Sequence, residues 1–456
     1  MKMAGFKMKS IALKWYFFSS SSFTVYSEFC NIFMKQLGLS SKQIGVTNIL
    51  GVQHVFIPLV LYLGDKYRAR SLVMWIVSAL SVLACLLLLL PLVVPLPTCF
   101  PTKPGADESE YSVPWTSTLL LVMTLSRSII TFLEGVAFPL ASLATITYLD
   151  NERTRYGAYY MWKHFGTSSF IGISAILAWS IKITICGREG YGFHISFIVA
   201  AVFITLSMLS IPFFEFKYES DRTIDWTEVK LVVFNSHYIF MFFMIFYLGA
   251  CVAFQIFWEF WYLDGLQASP LIMGGAALVR RPFLAVFIYI SCYVIKAIGE
   301  LSTIVISFLL FGVAFLALSL SRIYWYVLAI DMLHSAGYGL AYSSFTIHLS
   351  KAGSKASSGV ILGLLEMFFM FGCDFGATLL GVLFHAIGTR YTLLLYAAMT
   401  SFVLLIFLLY IKLSEKVNEF ERLPADKDET EDQCEIGNAG GDDNGDGIEE
   451  KQDKES

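Results

Sequence analysis

GDKYRARSLVMWIVSALSVLACLLLLLPLVVP, residues 64–95, sets a knot of bases directly against Ser71 to Pro95, a run without one charged side chain. As a helix rising about 1.5 Å per residue, such a run is long enough to cross a hydrocarbon core about 30 Å thick. Its lack of charge leaves it nothing to offer water. Outward from it the pattern recurs: apolar runs at roughly 12 to 36, 46 to 64, 117 to 147, 164 to 182, 193 to 215, 237 to 263, 269 to 294, 301 to 321, 324 to 349, 358 to 386 and 390 to 412, with charges clustered between them.

Composition agrees. Of 456 residues, 56% are hydrophobic and 15% charged, where a soluble domain carries about a quarter charged residues. The sequence predicts an all-α membrane protein of about twelve transmembrane helices in two six-helix halves. The halves are 1–215 and 237–412, joined by a polar connector, 216–236, and followed by an acidic tail, 413–456. Lys and Arg favour one set of loops, including Lys9, Lys14, Lys66, Arg68, Arg153, Arg155, Lys163, Lys217 and Lys355. By the positive-inside tendency both termini are expected in the cytosol, at the plasma membrane or an endomembrane. The basic leader is followed by an apolar stretch broken by Ser19 to Ser22 and Glu28, which reads as an uncleaved first helix.

The net charge of −4 comes largely from the tail and supports no nucleic-acid partner. Within the tail, Asp442, Asn444, Asp446 and Gly447 mimic the opening of a calcium loop. Asp453 stands at its twelfth position and Ile448 falls one residue early, so a solvated acidic segment is the reading. No metal-ligand spacing, phosphate-cradling loop or nucleophile elbow is present, and neither an enzyme nor a cofactor is expected. Cys99 and Cys186 fall in loops on one side and are either a disulfide or two free thiols.

The knot Gly64-Asp65-Lys66-Tyr67-Arg68-Ala69-Arg70 resembles the signature loop of the major facilitator superfamily. Asp65, Lys66 and Arg70 stand in place as a gating loop, while Leu61 and Arg68 replace glycines. Arg155-Tyr156-Gly157, Met161-Trp162 and Gly166 resemble an element of the lactose and nucleoside permease-like branch, which includes the major facilitator superfamily domain-containing protein 6 group. So do Leu37-Gly38-Leu39-Ser40 and Gln43-Ile44-Gly45. Tyr160, Lys163, His164 and Ser142 depart from that pattern. The resemblance covers about residues 12 to 412. It implies two halves rocking about a site near mid-membrane, and secondary active transport of a small polar solute, with protons as a candidate coupling ion.

Charged residues inside apolar runs cost at least about 2.5 to 3.5 kcal/mol each, so they should face a bundle interior. Arg280 and Arg281, with Pro282 removing a helix hydrogen bond beside them, are the leading candidates for a substrate or counter-ion site; a structural ion pair is the competing role. Arg127 and Glu134 share a face but stand roughly 10 Å apart in rise, so each needs a partner elsewhere or a solute between them. Asp331 and His334, three apart, read as a carboxylate–imidazole pair able to pass a proton or to fix packing. Asp374, Glu366 and Glu28 complete the proton-coupling candidates. Glu259, between Trp258 and Trp261, fits an interfacial belt, and His54 a packed core imidazole. The alternative to transport is a receptor or scaffold that binds a protein through residues 96–116 or the tail.

Overall fold

The computed structural model describes residues 2–48, 54–93, 118–149, 156–185, 188–216, 226–352 and 358–418. Cys99, Cys186, the 96–116 loop, Arg155 and the acidic tail from 419 onward lie outside them. The described residues are mostly helical. Seven helical segments among them are long and apolar enough to cross a membrane, and one of these, Val360–Leu413, is twice the usual length.

In the first part of the chain, α1 (Lys2–Ser20) and α2 (Phe23–Gln36) share the first predicted span, broken where Ser19 to Ser22 compete for backbone hydrogen bonds: Ser19 Oγ donates to Trp15 O at 2.7 Å and Ser21 Oγ to Phe18 O at 2.6 Å. Then come α3 (Ser41–Val46), α4 (Ile57–Lys66), α5 (Arg70–Leu87), α6 (Leu90–Val93), α7 (Thr118–Leu149), α8 (Tyr156–Ser180) and α9 (Ile195–Met208). Ser40 and Gln43 cap α3 reciprocally. After α10 (Trp226–Phe234) the second part holds α11 (Ser236–Ala253), α12 (Glu259–Gly265), α13 (Pro270–Ile298), α14 (Glu300–Leu320), α15 (Tyr324–Ser350) and α16 (Ser358–Asn418). The last folds back on itself at Gly388, whose φ of 80° only a residue without a Cβ adopts easily. Tyr396 Oη then donates to Gly376 O at 3.3 Å across the hairpin.

One short element departs from the apolar pattern. The fifth predicted span ends at Ser180, and β1 (Lys182–Ile185) pairs antiparallel with β2 (Arg188–Tyr191). Gln36 Nε2 donates to Tyr191 O at 3.1 Å and ties this hairpin to the end of α2.

The helices are built for lipid. On α5, Leu72, Ile76, Leu80 and Leu83 are exposed at helical spacing, while Ser78, Ser81, Ala84 and Cys85 are buried. Large apolar side chains outside and small ones inside suit a helix packed by close approach in hydrocarbon. α5 packs on α7 and α9, and α1 on α8; separately α11 packs on α16, α14 on α15 and α16, and α13 on α15. The two groups meet where α8 lies on α13, α3 on α16 and α2 on α12. A very tight crossing between them pairs Gly45 with Gly381: a Cβ on Gly381 would stand 2.5 Å from Ser41 O and 2.6 Å from Gly45 Cα.

Candidate functional site

A buried ion network crosses between the two groups. Glu28 on α2 accepts from Arg280 Nη2 at 2.5 Å and from Arg281 Nη2 at 2.7 Å, both on α13. Arg280 Nη1 also donates to Glu259 Oε2 and, at 3.1 Å, to the carbonyl of Gln255. The Arg280, Glu28 and Glu259 side chains are 2%, 1% and 0% exposed, so this is a sealed structural ion network. Arg280 is therefore a counter-ion to protein acids. Arg281, at 14%, keeps an accessible edge.

A π-helical turn, Phe254–Trp258, explains how Glu259 joins the network. Such a turn inserts one residue and rotates the downstream helix by about 100°. It also releases backbone carbonyls from the helical ladder, and Gln255 O, within the turn, serves Arg280. The interfacial-belt expectation for Glu259 and Trp258 is thus corrected, because both are buried, with Trp258 Nε1 donating to Ala377 O at 2.8 Å.

Asp331 on α15 is buried beside Glu259 and Arg280, and its Oδ2 and Glu259 Oε1 have no hydrogen-bond partner among the described residues. The expected Asp331–His334 pair does not form. His334 Nε2 instead meets Cys251 O at 3.2 Å, and the ring sits edge-on to Phe311 and Phe315 at 4.7 and 5.5 Å. A spacing of three puts both residues on one face, but the aromatic cage turns the imidazole away.

Arg127 on α7 donates to Asn31 Oδ1 at 2.6 Å and Thr47 Oγ1 at 3.2 Å, with its guanidinium 4.9 Å over Phe257. Asn31 passes the link on, donating to Phe257 O at 2.6 Å in the second group. Arg127 and Glu134 do not bond each other. Beside this layer Lys35 bridges to Asp264 at 2.6 Å, closing the α2–α12 end.

Away from that end, partly exposed charged and tyrosine side chains of both groups gather. Glu134 on α7 interacts electrostatically with Lys163 on α8 and Arg281 on α13, and Thr24 Oγ1 lies 3.5 Å from its carboxylate. Lys163 rests 3.6 Å over the Phe138 ring and also feels Glu366. Glu366 on α16 accepts from Tyr342 Oη at 2.5 Å and acts on Tyr338 and on Tyr160 of the first group. Glu366 is solvent-exposed, and its charge acts on side chains of both groups of helices. Asp374 lies apart on the same helix, 3.1 Å from His54 Nε2.

In the sequence Lys163 reads as a loop charge, because it comes so soon after Arg153 and Arg155. Its signal is the departure itself: a cation and an imidazole where the family pattern has two small residues. At the gating loop, Lys66 is exposed and Arg70 is buried with its guanidinium 6.0 Å over Phe216. Arg68 adopts a φ of 51°, and Ala69 N donates to Gly64 O at 2.8 Å, so the loop turns tightly although a glycine is missing. The Asp65 side chain lies outside the described set.

The family model described as MFS_1 like family matches residues 10–395. Among solved structures, that of the nucleoside transporter NupG aligns with a TM-score of 0.68 at 16% identity, covering 89% of this chain and 99% of that one. A point mutant of the same transporter aligns with the same score and identity, covering 88% and 99%. At that identity the likeness is one of fold. No curated protein sequence matches the chain.

Proposed function

The chain belongs to the MFS_1 like family and is by class a multi-pass membrane transporter, and we propose that it is a secondary active transporter moving a small polar solute by alternating access. One observation carries this. Two bases, two acids and three tyrosines from α7, α8, α13, α15 and α16 converge in a partly exposed space between two helix groups that are sealed together at one end. Ionised groups are expensive in hydrocarbon, and a set gathered at a wet chamber is what a polar solute would use.

Within it Arg281 and Lys163 supply donors, Glu134 and Glu366 acceptors, and Tyr338 and Tyr342 flat faces and hydroxyls. Opposed charges suit a solute without net charge that carries both donors and acceptors. Because the fold is shared with a nucleoside transporter, nucleosides are the first solutes to test. The halves in this reading are 1–215 and 237–412, with the connector 216–236 and both termini in the cytosol, and the membrane is the plasma membrane or an endomembrane. Glu28, Asp331, Asp374 and Glu366 remain the carboxyl groups for proton coupling, with His334 set aside by its aromatic cage.

Proteoliposome uptake of nucleosides and other small polar solutes, with and without an inward proton gradient, tests this. Saturable uptake accelerated by the gradient is expected. Uptake indifferent to the gradient removes coupling, and absence of uptake for every solute class removes transport.

A further inference from the structure

Among the described residues, His54 is the one imidazole that joins a carboxylate across the two helix groups. It stands just before α4, and its Nε2 lies 3.1 Å from Asp374 Oδ2 in the middle of the first arm of α16. The two side chains are 4% and 12% exposed. His54 Nδ1 is buried and has no hydrogen-bond partner among the described residues. The pair sits next to the glycine crossing between the groups: Thr378, one turn beyond Asp374, presents its carbonyl 2.9 Å from where a Cβ on Gly45 would be, and Gly381 follows.

Alternating access requires α3 and α4 to part from α16, so this contact cannot persist through the cycle. We propose that His54 and Asp374 form a proton-dependent latch: the joined pair holds one proton more than the separated pair, and gives it up as the groups part. This rests on the alternating-access reading and adds to it the place where proton and movement are linked.

The proton count is simple. Joined, the pair is an imidazolium facing a carboxylate, or a neutral imidazole facing a carboxylic acid; the two differ only by which atom holds the shared proton. On separation water enters. The N–H or O–H bond breaks, its electron pair stays on Nε2 or Oδ2, and the proton leaves to that water, leaving a neutral imidazole and a carboxylate. Without that proton a neutral ring could still donate from Nε2 to the carboxylate, but the buried pair would carry a net negative charge in a poor solvent for it, and the proton cancels that charge. Low pH therefore favours the joined form and high pH the separated one.

Among the described residues few other charged or titratable groups face the pair. From α7 the charge of Glu134 reaches His54. On α16 Cys373 neighbours Asp374 and itself feels Cys251 of α11 and Glu366. The Phe371 ring stands 6.2 Å from the imidazole and adds no charge. Imidazole is the side chain whose charge changes in the physiological range, and its partner here is carried by the opposite helix group.

The test is a distance. Spin labels at Lys42 on α3 and Ile387 at the tip of α16, both exposed, report the separation of the groups in lipid nanodiscs. Between about pH 5 and pH 9 the population should pass from short to long distances. In Asp374→Asn and in His54→Gln, which keeps a donor, that pH shift should be lost. A wild-type distribution independent of pH, or a shift that survives both substitutions, overturns the latch. No solute is needed, so failure to find a transported molecule and failure of the latch are separate outcomes.

Discussion

Glu28 and Arg280 lie 252 positions apart in the chain and 2.5 Å apart in space. Their pairing joins the first helix group to the second inside hydrocarbon, and both partners are almost wholly buried. Removing one partner of such a pair strands the other. Glu28→Ala should therefore cost about 3 to 5 kcal/mol of stability, read as a lowered unfolding midpoint in detergent. Glu28→Gln, which keeps an acceptor, should lose less.

Arg281 combines a bond to Glu28 with an edge exposed to the chamber. Arg281→Gln should abolish uptake while surface expression stays intact, because Arg280 still anchors Glu28. Equal uptake by this variant at equal surface density would remove Arg281 from solute binding.

Lys163 rests over Phe138 with Glu134 nearby, and no other lysine shares its surroundings among the described residues. In Lys163→Met the chamber keeps its volume and loses a donor. Uptake should fall at least about tenfold, equivalent to roughly 1.4 kcal/mol, with the loss in KM if the ammonium contacts solute in its resting state.

At the Gly45–Gly381 crossing an added methyl has no room, since backbone as well as the Trp258 ring stands in its way. Gly381→Ala should cost the sealed arrangement about 1 to 3 kcal/mol. Labels at Lys42 and Ile387 should then report longer distances than in the unsubstituted protein at the same pH.

Asp331 and Glu259 should separate isosteric from apolar change. Asp331→Asn removes an acid beside Glu259 and offers an N–H to its unpartnered Oε1, and should leave thermal stability unchanged or raise it. Asp331→Leu offers no N–H and should be less stable than Asp331→Asn by about 1 to 3 kcal/mol. The comparison is a pair of melting curves.

Much of this is legible in the chain. Runs such as 71–95 announce lipid because nothing in them could face water, and the charges at Arg280, Arg127 and Glu28 announce an interior because lipid would reject them. What periodicity cannot show is partnership. Glu259 reads as interfacial because Trp258 and Trp261 flank it, and nothing in that pattern announces the π turn at Phe254–Trp258 that precedes it. His334 pairs with Asp331 on spacing alone, which carries no information about the rings of Phe311 and Phe315 on α14. His54 reads as an ordinary core imidazole until the opposite helix is placed beside it, 320 positions along the chain. The β1–β2 hairpin escapes for a plainer reason: four-residue strands are too short to show a period.

At Gly388 one left-handed residue reverses the chain between two long arms, where most successive passes are separated by several residues of loop. The arm that carries Asp374, Gly381 and Glu366 is tied to the arm that carries Tyr396 and Thr400 at Gly388 and again where Tyr396 Oη meets Gly376 O, so a tilt begun at the seam between the helix groups would draw the second arm along with it, as a crank follows its handle.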